Sequence, residues 1–451
     1  MDATRRQDLD RLYVDHVADL QIRYARVLAE HRWDAVIVHS GTPQKRSTFD
    51  DQYWPLRPVP HWQHWLPLVE PDSALIVRPG RSPKLLRTAS RSFWERPPPP
   101  ITHVFLDVFE VETLDDPVEA RLALGTGRVA FVGEDVRRAS SWGIEGGNVC
   151  PDALVSALDA LRTLKTPYEV ACLVEANRIA RAGHDALRHA FGERDASELD
   201  LHLLYLGATG QDDWETPYKN IVALGRNAGT LHHISYGRRS EKREAESLLI
   251  DAGATCRGYG ADITRTWVKG RGAAATLFAQ LVAGLEALQQ RLCGAIRVGS
   301  PYEALHDESH RQVAQVLRDT GIVRGSVDEA VATGVTRAFY PHGLGHSLGL
   351  QTHDVGCAVR QPRSDNPFLR NTSDVDRGQV FTIEPGVYFI EDLLNPLRAR
   401  PEGALVDWKI VEVLSPLGGV RIEDDVHVTG GGPVIQNLTR AHLSVGGGLV
   451  S

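Results

Sequence analysis

Four separated islands in the C-terminal half place carboxylates where a fold can hold them only with company. They are Asp251 with Asp262, the run His342-Gly-Leu-Gly-His346, Glu384-Pro-Gly, and Arg421-Ile-Glu423-Asp424. Each lies in strand-like or Gly-rich sequence, so four carboxylates and at least one imidazole head for an interior or a tight loop. Unpaired buried anions simply take up protons. Two divalent cations would balance them instead. Oxygen ligands with a minority of imidazole suit hard or borderline ions such as Mn²⁺ or Co²⁺, and no thiolate set competes. The pattern points to a two-metal hydrolase.

The rest of the chain allows such a site. A length of 451 residues admits about three domains, or two larger ones. The hydrophobic share of 42% is near the globular average and supports a sizeable core. A net charge of −8 argues against nucleic acid or an anionic membrane as partner. No apolar run approaches the ~20 residues of a membrane span, and the first residues lead into a charged amphipathic segment rather than a signal peptide. Five cysteines without a C-x-x-C pair predict free, buried thiols and a cytoplasmic location. Cys357, four residues after His353, is expected to pack rather than react.

Hydrophobic periodicity divides the chain into an N-terminal α/β domain over 1–165 and a catalytic α+β domain over 166–451. In the first, an amphipathic helix is expected over 8–31, with short strands at 35–38, 74–77, 104–109 and 129–132. Together they predict a mixed or parallel sheet with covering helices. The prolines at 97–100 require an extended connector. The second domain opens at Thr166-Pro-Tyr-Glu169, a capping box ahead of a long helix marked by Val170, Leu173, Val174, Leu187 and Phe191. Ser300-Pro-Tyr-Glu303 repeats the signal before another helix, and Leu277 to Leu292 mark a buried helical face between them. The glycines from 446 onward read as a loose tail.

The islands carry the chemistry. Residues 247–253 and 261–267 read as two strands of a hairpin that turns at 257–260 and brings Asp251 beside Asp262. A salt bridge to Arg265 is the alternative use of an aspartate there. His342 and His346 have the i, i+4 spacing of a zinc helix, but two intervening glycines disfavour helix and predict a loop that approaches a ligand closely. His353 follows on the same stretch. Glu384 and Glu423 each end a short apolar strand, a position usually taken by a solvated edge residue. Together with the aspartates and the histidine loop they form one coherent metal set.

In combination and in order, Asp251-Ala-Gly, Asp262-Ile-Thr-Arg-Thr-Trp, Pro341-His-Gly-Leu-Gly-His, His353-Asp-Val-Gly, Thr382-Ile-Glu-Pro-Gly and Arg421-Ile-Glu-Asp resemble the metallopeptidases of the pita-bread (creatinase/aminopeptidase) fold. The resemblance is strongest to the bacterial proline dipeptidases, or prolidases. It implies an α+β pita-bread catalytic domain behind a smaller creatinase-like α/β domain. It also implies hydrolysis of Xaa-Pro dipeptides to a free amino acid and proline.

The same resemblance implies five metal ligands: Asp251, Asp262, His346, Glu384 and Glu423. Asp262 and Glu423 would bridge two ions, Mn²⁺ first and Co²⁺ or Zn²⁺ as alternatives. A bridging water would become the nucleophile, with Glu384 as proton carrier. His232, His353, His342 and Arg421 match catalytic or supporting positions. Arg370 matches the arginine that clamps the product carboxylate, a task suited to a guanidinium fork; without the resemblance it reads as a surface arginine. Tyr218 matches a pocket-lining aromatic. Asp51 and Trp94 resemble residues lent to a neighbouring subunit's pocket, which implies a homodimer. The alternatives are an aminopeptidase P acting on longer Xaa-Pro peptides and a non-enzymatic pita-bread binding protein. A side activity on organophosphate triesters is a further expectation.

Overall fold

The computed structural model describes residues 1, 3–88, 104–193, 195–239 and 245–450. The chain divides into two compact units, Met1–Cys172 and Leu173–Ser451. All five cysteines carry free thiols. No described helix is long and apolar enough to cross a membrane.

In the first unit, helix α1 (Ala3–Glu30) buries Leu9, Tyr13, Val17, Leu20, Tyr24, Val27 and Leu28, one stripe at three- and four-residue spacing. Strand β1 (Ala35–His39) follows, then α2 (Pro60–Trp65), β2 (Ala74–Val77), β3 (Lys84–Thr88), α3 (Val104–Asp107), β4 (Glu110–Leu114), β5 (Val129–Val132), α4 (Val136–Ser141) and α5 (Asp152–Ala160). The sheet order is β4-β3-β2-β1-β5. It is mixed: β1 runs parallel to β5 and antiparallel to β2. Ile37, Ile76, Leu86, Phe131 and Trp142 form its core.

The strand expected over 104–109 is not there. Val104–Asp107 is a helical turn, and the strand begins at Glu110, pairing parallel with β3 from Lys84↔Glu110 to Thr88↔Leu114. A four-residue apolar run fits either structure by periodicity alone. The true strand is an exposed edge with glutamates, which hides its pattern. The proline run at 97–100 lies outside the described residues.

Helix α6 (Pro167–Glu193) starts as its sequence predicts. The Thr166 N–H donates to Glu169 Oε2 at 2.8 Å, and the Glu169 N–H to Thr166 Oγ1 at 3.4 Å. His16 Nδ1 also lies 2.8 Å from that hydroxyl.

The second unit continues with α7 (Glu198–Thr209), β6 (Ile221–Leu224), β7 (Ala245–Asp251), β8 (Thr255–Cys256), β9 (Tyr259–Gly260), β10 (Thr264–Gly270), α8 (Ala273–Ala295) and α9 (Tyr302–Asp319). After these come β11 (Val380–Ile383), β12 (Gly386–Tyr388), β13 (Gly419–Arg421), β14 (Asp424–Val428), β15 (Ile435–Asn437) and β16 (Gly447–Leu449). Strands assemble as β16-β10-β7-β6 and β11-β14-β15, with β12-β13 and β8-β9 as pairs. Helix α8 contributes Phe278, Leu281, Leu285, Leu288 and Leu292 to the main core.

Two expectations fail here for local reasons. Helix α9 begins on schedule, but Ser300 does not cap it. Pro301 holds the N-cap position without a side-chain bond, the Tyr302 N–H donates to Ser373 O, and Glu303 is turned toward Asn366 and Arg363. The glycine tail is not loose either, because β16 pairs in parallel with β10 along Thr266↔Gly447 to Val268↔Leu449. Its glycines are there for clearance. A Cβ on Gly447 would stand 2.0 Å from Thr266 O, and one on Gly446 would collide with the Glu286 carboxylate.

Candidate metal centre

Strand register gathers the acidic residues. Antiparallel pairing of β7 with β10 sets Asp251 opposite Thr264, and an isolated bridge sets Thr264 opposite Glu423. The three residues therefore stand in a row across neighbouring strands, with the Thr264 hydroxyl donating to Glu423 Oε2 at 2.6 Å. Strand β10 begins at Thr264 rather than at 261, so Asp262 lies just before it. The Asp262 carboxylate accepts from Tyr218 Oη at 2.5 Å. The short β8-β9 hairpin makes the turn through Arg257 and Gly258, both at positive φ (51° and 89°), as a tight two-residue connection requires.

The histidine run is a loop and not a helix, as its glycines predict. Its backbone lies along β11, with Leu348 N–H donating to Val380 O, Thr382 N–H to His346 O and Glu384 N–H to Leu344 O. Both glycines answer to close approach. A Cβ on Gly345 would stand 2.1 Å from Thr382 O, and one on Gly343 2.9 Å from Phe368 O. This alignment sets His346 against Glu384. His346 Nδ1 lies 3.1 Å from Ser347 O, a bond in which only the ring N–H can donate. Nε2 is then left facing Asp262 Oδ2 at 3.4 Å, Glu384 Oε1 at 3.5 Å and Glu423 Oε1 at 4.0 Å.

These residues fit a divalent metal. Asp262, His346 and Glu423, all buried, each offer a ligand atom, and these atoms lie within 4.8 Å of one another. Asp251 Oδ2 takes a 2.6 Å bond from Arg421 Nη2, while its buried Oδ1 has no hydrogen-bond partner. An orphaned carboxylate oxygen inside a protein is costly unless a cation or water completes it.

Crowding shows in the ionisation behaviour. Burial pushes Asp251 up to about 6 and Glu384 to about 7, and raises Glu423 well above the carboxylate range. Burial acts the same way on Asp262, but the His346 hydrogen bond and charge outweigh it and hold Asp262 low. For His346 burial opposes the charged form, yet Asp262 and Glu384 hold it at about 9. Carboxylates this close compete for protons, which a metal would displace.

A ring of further groups surrounds the centre. His342 Nδ1 pairs with Gly343 O at 2.8 Å and its Nε2 with Tyr388 Oη at 2.7 Å; Arg421 Nη1 donates to the same phenol at 3.0 Å. Burial lowers His342 to about 3, so it is neutral and braces Tyr388 and Arg421. The His353 ring sits edge-on to His346 with centroids 4.4 Å apart. Burial first, then the charges of His346 and Arg370, lower His353 to about 4. His232 and Arg370 are exposed, and the field of each reaches His353. Asp51 is exposed on the first unit, and Trp94 lies outside the described residues.

Several supporting residues carried no sequence signal. Tyr388 is an ordinary strand residue whose role comes from register. Asp425 stands behind Asp262, accepting its N–H at 3.2 Å and a bond from Asn177 Nδ2 at 2.7 Å. Arg265 pairs with neither site aspartate. It is wholly buried against Asp424 at 2.9 Å and donates to Glu423 O at 2.8 Å.

Comparison with known proteins identifies the family and the fold. A family model described as metallopeptidase family M24 matches residues 171–430, and one described as Xaa-Pro dipeptidase, N-terminal domain, matches residues 11–160. The chain is 41% identical over 438 residues to an Xaa-Pro dipeptidase of Marinobacter nauticus, covering 96% of this chain and 99% of that one. It is 38% identical over 432 residues to one from Pseudoalteromonas atlantica, covering 94% and 96%. Among solved structures, proline aminopeptidase P II from Yersinia pestis superposes with a TM-score of 0.71 at 22% identity, over 96% of this chain and 97% of that one. Aminopeptidase P from Escherichia coli with the inhibitor Pro-Leu gives 0.70 at 21%, over 94% and 95%. At such identity the structural likeness speaks to fold alone: a pita-bread domain preceded by a smaller α/β domain.

Proposed function

The chain belongs to metallopeptidase family M24, and from that premise we propose that it hydrolyses Xaa-Pro dipeptides to a free amino acid and proline. The observation that carries this reading is the convergence of Asp262, His346 and Glu423 within ligand distance, flanked by Glu384 and by the unpartnered oxygen of Asp251.

Asp251, Asp262, His346, Glu384 and Glu423 are the residues that would hold two divalent ions, Mn²⁺ first among the candidates. When bound, such ions supply Lewis acidity and an acidified water. The chain's own groups do the rest. Arg421 holds Asp251 in place through its 2.6 Å bond to Oδ2. Tyr218 donates to Asp262 and fixes its orientation. Glu384, raised toward neutrality by burial, suits a proton carrier. His353, His232 and His342 surround the position of the scissile carbonyl, the first two orienting substrate and the third bracing Tyr388. Arg370, with an exposed guanidinium, receives the proline carboxylate and limits substrate length. A domain over 1–165 lends Asp51 and Trp94 to a partner's pocket in a homodimer, and five free thiols fit a cytoplasmic enzyme.

The deciding experiment compares proline release from Ala-Pro with cleavage of Ala-Pro-Ala, using metal-stripped protein before and after Mn²⁺ is added. Metal-dependent cleavage of the dipeptide alone is the expected result. Preferential cleavage of the tripeptide would make the protein an aminopeptidase P. Inactivity on both with metal verified would leave a binding protein.

A further inference from the structure

Helix α7 is closed at its start by a reciprocal cap. The Ser197 N–H donates to Asp200 Oδ2 at 3.0 Å, and the Asp200 N–H to Ser197 Oγ at 3.2 Å. Glu198, the next residue, is 2% exposed and sits where the helix favours a negative charge. Both of its oxygens are used. Oε1 accepts from Leu224 N–H at 2.9 Å and Asn227 Nδ2 at 2.7 Å. Oε2 accepts from Gly237 N–H at 2.7 Å and meets His233 Nε2 at 2.8 Å. The Leu199 N–H adds a bond to Gly237 O at 3.1 Å.

One carboxylate thus ties together both ends of the segment 224–237. Within it, adjacent histidines part company: His233 turns in to Glu198, while its neighbour His232 remains exposed. Packing alone could hold a surface segment. Four converging donors on a buried anion do more, because each charge-assisted bond is directional and the loss of any leaves a buried group unsatisfied.

We propose that Glu198 is a positioning residue for substrate binding, fixing the 224–237 segment so that His232 faces the dipeptide. The proposal rests on the dipeptidase reading above. Its test is a double-mutant cycle on Mn²⁺-loaded protein, with Ala-Pro as substrate and Glu198→Gln, His232→Ala and their combination as variants. Glutamine keeps the acceptor for Leu224 and Asn227 but sets an amide NH₂ against the Gly237 N–H. Glu198→Gln should raise KM about tenfold while kcat and bound metal stay within about twofold. The double variant should be no worse than His232→Ala alone. An unchanged KM, KM effects that multiply, or lost metal would each overturn the proposal. Should Glu198→Gln fail to fold, His233→Ala removes one contact of four, and a KM rise of about threefold with the same lack of additivity is expected. Wild-type protein that releases no proline would sink the dipeptidase reading first, before any variant is compared.

Discussion

Three carboxyl groups of the candidate metal centre, Asp251, Glu384 and Glu423, bind their protons more tightly in the folded chain than in the unfolded one, because burial penalises the anion. Glu384 is raised to about 7 and Asp251 to about 6, while His346 is held at about 9 by Asp262 and Glu384 against the effect of burial. All three retain protons that the unfolded chain would release. They therefore destabilise the metal-free protein as pH rises, the carboxyls over about 4–7 and the imidazole over about 6.5–9. Asp262, held low, acts in the opposite sense in the acid range. Metal needs the same groups unprotonated, so its binding must release protons. The increase in melting temperature on adding Mn²⁺ should be larger near about pH 8.5 than near about pH 6, and calorimetry in buffers of different ionisation enthalpy should register the released protons. A pH-independent increment would contradict this account. The carboxylates and His346 were legible in the sequence because charge inside apolar strands calls for a reason. Tyr388, Asp425 and Glu198 were not, since their roles exist only once separate segments meet.

Helices with strong local signals could be read directly: α1 from its stripe, α6 from its Thr166 cap. Edge strands could not, because β4 is exposed and β16 is mostly glycine, so neither shows an apolar pattern. That the histidine run is a loop was legible from its glycines, and it carries a prediction of its own. Gly345→Ala would drive a Cβ into Thr382 O and Tyr302 Oη, both buried parts of the core. Relief requires the run to lift from β11, which would part His346 from Glu384. Urea denaturation should show a loss of about 1–3 kcal/mol, accompanied by loss of bound metal. A variant that keeps both would mean that the backbone can shift without disturbing the centre.

For the whole molecule, the homodimer reading can be tested by function as well as by mass. If Asp51 serves the partner's site, Asp51→Ala and Asp262→Ala subunits should each be inactive alone. An equimolar mixture, after subunit exchange, should regain about a quarter of wild-type activity, since random pairing restores one site in half of the dimers. Sedimentation should give twice the chain mass. A mixture that stays inactive while dimeric would place Asp51 outside the site.

The parallel pairing of β16 with β10 also bears on how the molecule is made. Thr266 and Gly447 stand 181 positions apart in the chain, so this contact is costly in loop entropy and is expected to form late. Until residues 447–449 have been synthesised, the outer edge of β10 presents unpaired backbone beside Asp251 and Asp262. Nascent chains halted upstream would expose a template for strand addition, and the cell would meet them as an aggregation hazard before it could meet them as an enzyme.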